Sequence, residues 1–251
     1  MKRICLALAI LTAHLLASPA TGAEFDSNGI KLHYTIEGKG EPVVLIHGLH
    51  SSAQLNWQLP GITTALAKDH QVIALDCRGH GQSGKPTADE QYGEAMAEDV
   101  VRLLDHLKLQ QAHVIGYSMG GMITLKLLVK HPERVKSAVL GGMGWLKTGG
   151  VLQQTWERMP GREGAAVPPA CVRGLGRLAV TETELKAVRV PVTVIVGERD
   201  PVRRLYVEPL QGARPDWPVR IIAGAGHLNC IAKPEFQAEL RKALGSGAGS
   251  R

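Results

Sequence analysis

Cysteine is scarce in this sequence, and the patterns missing around it exclude several chemistries. There are 4 cysteines and 10 histidines among 251 residues, and none of them shows metal-ligand spacing. No metal and no other cofactor is expected. No internal repeat or long low-complexity tract occurs. No nucleic-acid-binding motif occurs, so no nucleic acid is expected as a partner. Beyond residue 16 no apolar run is long enough to span a bilayer. No cysteine directly follows the first apolar run, which argues against a lipoprotein anchor.

The start of the chain is the exception to this plainness. Lys2 and Arg3 precede Ile4–Leu16, which is nearly all apolar. That length suits the core of a signal peptide better than a membrane span. Thr21-Gly22-Ala23 offers a cleavage site before Glu24, so residues 1–23 are expected to leave as a signal peptide. A periplasmic or secreted protein, with no stable membrane insertion after cleavage, is the expectation. A buried first helix or an uncleaved anchor is the competing reading.

Cleavage would remove Cys5 and leave Cys77, Cys171 and Cys230. An oxidising compartment allows one disulfide, for which Cys171–Cys230 is the pair to test. Three free thiols are equally compatible. The formal charge of +6 falls only slightly when Lys2 and Arg3 go. The cations are scattered, with local clusters at Arg189 and at Arg203-Arg204, and read as a solvated surface of mixed sign. Nothing in the sequence fixes the oligomeric state.

Phe25–Ile36 alternates apolar and polar residues around Asn28-Gly29, a hairpin pattern. A short, fully apolar run follows at Val43–Ile46, and further mostly apolar runs recur at Val72–Leu75, Ala112–Ile115, Val135–Leu140, Val192–Val196 and Val219–Ile222. Such runs suit buried parallel strands. Amphipathic segments lie between most of them: Ile62–Lys68, Glu94–Leu107, Met122–Lys130, Val202–Gln211 and Glu235–Leu244. The alternation predicts an α/β fold, a mostly parallel central sheet with helices on both faces. Residues 24–251 read as one domain with a frayed Gly/Ser-rich tail from Gly245. The interval from about 144 to 186 breaks the alternation and reads as a small cap insertion. Trp145, Leu146, Trp156 and Met159 could face a pocket from it or simply hold it to the core.

The richest motif is Gly116-Tyr117-Ser118-Met119-Gly120. It follows an apolar run and precedes a helical one, the context of a nucleophile elbow. Ser118 is the candidate nucleophile and needs a base to take its proton. His227, after the small-residue turn Ala223–Gly226, is the candidate base. Asp200, just past Val192–Val196, is the candidate acid that would fix the imidazole tautomer. Ser51 and Ser83 are rival serines but sit at no elbow, and Glu198 is a rival acid.

Five stations stand in order: His47-Gly48, Asp76–Ser83, Gly116–Gly120, Gly197–Asp200 and Gly226-His227. With them the chain resembles the α/β-hydrolase superfamily, the single-domain type with a short cap, over residues 25–244. The resemblance implies a Ser118–His227–Asp200 triad. It also implies an oxyanion hole from the backbone N–H groups of Leu49 and Met119, with Met119 heading a helix. It implies structural roles for His47 and for Asp76–Ser83, where Asp76 and Arg78 would pair or bond the backbone. Trp57 and Tyr117 are candidate pocket walls, each equally able to be core.

Relatives that hydrolyse epoxides or dehalogenate alkanes place an aspartate at the elbow, so the serine disfavours those reactions. The leading expectation is an exported serine hydrolase that cleaves a small-molecule carboxylic ester through an acyl-enzyme. Lactone or C–C bond hydrolysis and cofactor-free peroxidation remain alternatives on the same triad. A non-catalytic binding protein on this scaffold is the alternative of a different class.

Overall fold

A computed structural model describes residues 21–162 and 164–245. The expected signal-peptide core and the tail beyond Gly245 lie outside the described residues. The chain opens with β1 (Thr21–Ser27) and β2 (Ile30–Glu37), joined at Asn28 and Gly29 with φ of 55° and 83°. Both central residues are left-handed, as a two-residue hairpin turn requires. Thr21, Gly22 and Ala23 pair with Ile36, Thr35 and Tyr34. The cleavage point expected after Ala23 therefore falls inside β1.

Next come β3 (Glu41–Ile46), α1 (Ile62–Leu66), β4 (His70–Leu75), α2 (Glu94–His106) and β5 (Ala112–Tyr117). They are followed by α3 (Met119–Lys130) and β6 (Val135–Gly141), then α4 (Val151–Arg158), α5 (Pro169–Gly174) and α6 (Glu182–Ala187). The chain closes with β7 (Val192–Gly197), α7 (Glu208–Ala213), β8 (Val219–Ile222) and α8 (Pro234–Gly245). Each apolar run named above is a strand. The eight strands form one sheet in the order β1-β2-β4-β3-β5-β6-β7-β8, in which β2 runs antiparallel to both of its neighbours and the other pairings are parallel.

The sheet divides the core in two, and β3 shows why its sequence is apolar throughout. Val44 and Ile46 join the cluster that holds Val100, Leu103, Ile123 and Leu127 of α2 and α3. Val43 and Leu45 join the opposite cluster with Trp57, Ile62, Leu66 and Phe236. Side chains alternate faces along a strand, so a strand covered on both sides has no polar position.

The same division corrects the disulfide expectation. Cys77, Cys171 and Cys230 are free and buried. Cys171 belongs to the first cluster and Cys230 to the second. The sheet itself lies between them, beyond the reach of a disulfide, which needs Cα atoms within about 7 Å. Burial pushes the Cys171 and Cys230 thiols up to about 12, which makes them poor nucleophiles.

Between β6 and β7 the chain forms short helices bound to the body of the protein. Lys147 bridges to Val180. Trp145 Nε1 donates to Val180 O at 2.7 Å, and the buried Lys126 of α3 donates to Ala179 O at 2.6 Å. Arg173 of α5 forks onto Asp89 at 3.0 and 2.6 Å. Among the described residues no helix is long and apolar enough to cross a membrane.

Candidate active site

Ser118 stands at the tip of β5, at the first turn of α3, with φ 52° and ψ −114°. Such left-handed backbone is unfavourable for a residue with a Cβ, costing on the order of 1–3 kcal/mol. The flanking glycines make it possible. A Cβ on Gly116 would lie 2.0 Å from Gly120 O, and one on Gly120 would lie 2.0 Å from Ile46 O. No side chain fits at either position, so the turn can be this tight only with glycine there.

His227 arrives from the loop after β8. Asn229 Oδ1 accepts from Gly226 N at 2.8 Å, and the Tyr117 hydroxyl donates to His227 O. Its Nε2 lies 2.9 Å from Ser118 Oγ and its Nδ1 lies 2.8 Å from Asp200 Oδ2. The Asp200 carboxylate accepts only, so Nδ1 carries the proton and Nε2 is free to accept from the serine. Asp200 is fully buried, and its Oδ1 takes the Val202 N–H at 2.9 Å. Glu198 is instead spent on Gly224 N at 2.8 Å. Ser83 is buried with its hydroxyl donating to Asp76 O at 2.5 Å. The structure thus brings the three expected side chains into one relay and leaves Ser83 and Glu198 out.

Leu49 and Met119 flank the serine. Among the described residues neither backbone N–H has an acceptor. Two unpaired donors in a mostly buried site suit a developing oxyanion, and Met119 adds the N-terminal end of a 12-residue helix. The loop that carries Leu49 is fixed from behind. Asn56 Oδ1 accepts from Gly48 N at 2.7 Å. His47 accepts the Cys77 N–H on Nε2 at 3.0 Å and donates from Nδ1 to Gly48 O at 2.8 Å. Burial lowers the pKa of His47 from the ordinary histidine value, which favours the neutral form that makes both bonds. A Cβ on Gly48 would sit 3.3 Å from Ser118 Cβ, a close approach that favours glycine.

Asp76 accepts from Ala53 N at 2.8 Å and Gln82 N at 3.0 Å, and lies 3.1 Å from His33 Nδ1. Of the two arrangements expected for Asp76 and Arg78, the backbone one is realised. Arg78 pairs with Asp99 of α2, not with Asp76.

A cavity of about 140 Å³ opens on the serine, lined by Leu49, Ser118, Met119, Met122, Met143, Trp156, Leu175, Val202, Tyr206 and His227. Trp156 alone of the four expected aromatic walls lines it. Trp57 is fully buried in the core on the opposite face of the sheet. Tyr117 belongs to that same core and supports the His227 loop. Trp145 is buried, and its indole holds the segment after β6 to Val180. A signal for two missed walls was present: Met122 lies one helical turn after Ser118, and Val202 two residues after Asp200. Met143, Leu175 and Tyr206 carried none, because tertiary packing brings them in from separate segments.

The model of the α/β hydrolase fold matches residues 41–178. The chain belongs to the α/β-hydrolase fold family. Within that family it is similar to 2-hydroxymuconate semialdehyde hydrolase of Pseudomonas sp. (strain CF600), 41% identical over 128 residues. That alignment covers 50% of this chain and 44% of the relative, so the chain matches less than half of the relative's length. Two solved α/β-hydrolase structures share the fold. E-2-(acetamidomethylene)succinate hydrolase has a TM-score of 0.74 at 19% identity, covering 90% of this chain and 99% of the other. Epoxide hydrolase VrEH1 from Vigna radiata has a TM-score of 0.74 at 17% identity, covering 90% and 98%.

Proposed function

We propose that this α/β-hydrolase is a serine hydrolase that cleaves a small, uncharged carboxylic ester through an acyl-enzyme. The observation that carries the reading is the continuous relay from Ser118 Oγ through His227 to Asp200, at 2.9 and 2.8 Å. His227 takes the serine proton as Oγ attacks the ester carbonyl. Leu49 and Met119 donate their N–H groups to the oxygen that becomes negative. His227⁺ then protonates the leaving alcohol, and Asp200 steadies the imidazolium until it does. Water enters, loses its proton to His227 and releases the acid.

The cavity supports the substrate class. At about 140 Å³ it falls below the roughly 300 Å³ where drug-sized sites begin, so it suits a short acyl chain. No Asp, Glu, Lys or Arg lines it, so a charged substrate group would be buried unpaired. A second reading, hydrolysis of a C–C bond on the same triad, is favoured by the likeness to 2-hydroxymuconate semialdehyde hydrolase. Assay of short-chain aryl esters with wild type and Ser118→Ala tests the first reading. Turnover by wild type that disappears in the variant is expected; equal turnover in both would overturn it.

For localisation we favour the periplasm or the outside of the cell, on the basic-then-apolar start of the sequence. Cleavage after Ala20 would spare the whole of β1. The mass of the mature N-terminus checks this, and a chain beginning at Met1 would contradict it.

A further inference from the structure

Tyr206 is mostly buried, 7% exposed, and it lines the cavity together with Trp156. The two side chains come from different parts of the chain, Trp156 from α4 and Tyr206 from the turn before α7, and they meet at 3.1 Å between Trp156 Nε1 and Tyr206 Oη. An indole N–H can only donate. The phenol oxygen is therefore the acceptor in this bond, and its own proton must point elsewhere. Among the described residues no acceptor receives it. An unpaired hydroxyl proton on a mostly buried side chain facing an apolar cavity costs free energy that a ligand can recover. Trp156 leaves the phenol only a limited arc in which to aim that proton, so the donor is set before substrate arrives.

The remaining walls sharpen what this donor would meet. Met122, Met143, Leu175 and Val202 are apolar, and the Leu49 and Met119 N–H groups are without an acceptor among the described residues. Apart from the reacting groups and the oxyanion donors, the Tyr206–Trp156 pair is the polar feature of the cavity. No cation accompanies it, so a carboxylate would be matched by one neutral donor and left otherwise unpaired.

We propose that Tyr206 is a specificity residue whose phenol donates to an uncharged oxygen on the acyl chain, an ether or keto oxygen beyond the scissile carbonyl. This rests on the ester-hydrolase reading and adds a substrate class to it. Trp156 is a positioning residue that orients the phenol. The site discriminates between an acyl chain with an acceptor and its all-carbon isostere, because the isostere leaves the phenol proton unpaired.

The test uses two esters that differ by one atom, p-nitrophenyl methoxyacetate and p-nitrophenyl butyrate. The readout is the ratio of their kcat/KM values, after division by the ratio of their hydroxide-catalysed rates. Wild type should favour methoxyacetate. In Tyr206→Phe the ratio should fall about tenfold, the effect of one lost hydrogen bond, whatever loss is common to both esters. In Trp156→Phe it should fall in the same direction by about threefold, and this variant carries the test if Tyr206→Phe does not fold. An unchanged ratio in both variants would overturn the inference while leaving the ester reading intact. Turnover of neither ester by wild type would overturn the ester reading and this inference with it.

Discussion

Two networks in this molecule join a serine hydroxyl to an aspartate, and they are completed differently. In the first, Ser27 Oγ donates to Asp99 Oδ1 at 2.5 Å and Arg78 forks onto the same carboxylate at 2.6 and 2.5 Å. The remaining Arg78 nitrogen donates to Gln91 O at 2.7 Å. This network ties β1, the loop after β4 and α2 together, and its charges are matched by opposite charges. In the second, Ser118, His227 and Asp200 form a line that ends at a cavity. Its serine sits on strained backbone, and two neighbouring N–H groups have no acceptor. The first arrangement serves the fold because nothing in it is left over. The second can do chemistry because its proton acceptor, its donors and its strain are unspent until substrate arrives.

Substitutions can separate the two. Ser118→Ala should lower kcat/KM for aryl esters by about 10⁴-fold or more. Its melting temperature should change by no more than about 2 °C, since no buried charge is exposed and no cavity forms. Arg78→Met should do the reverse. It leaves the buried Asp99 with only the more distant, partly exposed Arg102 at 3.8 Å, and breaking such a buried pair costs up to about 3–5 kcal/mol, readable in urea unfolding. The activity of each folded molecule should stay within a few-fold. A large activity loss in Arg78→Met without loss of stability would break the comparison.

A smaller effect should appear with pH. His80 is held down to about 3 by burial first and then by the neighbouring His47. Its Nδ1 lies 3.2 Å from Arg78 O, and its Nε2 accepts the His50 N–H at 3.3 Å, so a proton on Nε2 would meet another donor. Between pH 3 and the ordinary histidine value of about 6.5 the unfolded chain binds a proton that the folded chain refuses. Stability is therefore complete above about pH 6.5 and falls on acidification, by at most about 1.4 kcal/mol per pH unit for this one group. Over the interval from pH 6.5 to 5 that is about 2 kcal/mol. His80→Asn should flatten this slope in urea titrations at pH 5 and 7, and an unchanged slope would remove His80 from the account.

The smallest effect sharpens the catalytic side alone. Asn56→Ala removes the acceptor of Gly48 N–H and should loosen the loop that carries Leu49. A fall in kcat of about tenfold with KM little changed is expected, the signature of a contact felt mainly in the transition state. A rise in KM at constant kcat would place Asn56 in substrate binding instead.

The contrast between the networks also explains what could be read from the sequence. The relay was legible because each member sits next to a local marker. Ser118 lies between Gly116 and Gly120, Asp200 follows an apolar strand, and His227 follows Gly226. Strand tips point the same way in a parallel sheet, so residues after β5, β7 and β8 converge. The inner strands were legible as mostly apolar runs, because burial on both faces leaves little alternation to misread. The Arg78–Asp99 pair was not legible, since its partners are 21 positions apart and nothing local marks which helix will cover Arg78. The cavity walls were harder still. Tyr206 and Trp156 meet only because the segment after β6 packs back over α3. Trp57 and Tyr117 have the composition of pocket walls but pack on the other side of the sheet, Tyr117 through the register of β5 and Trp57 through the path of the turn before α1, neither of which single residues reveal. The Cys171–Cys230 suggestion failed for the same reason, since sequence counts thiols but does not say on which face of the sheet they lie.

The central claim is that Ser118 is an activated nucleophile. Reaction with a fluorophosphonate, followed by peptide mass analysis, tests it most directly. The account predicts one phosphonyl adduct, on Ser118, that is absent in Ser118→Ala and slowed by orders of magnitude in His227→Ala. An intact, folded protein that takes no label, or takes it on another serine, would contradict it.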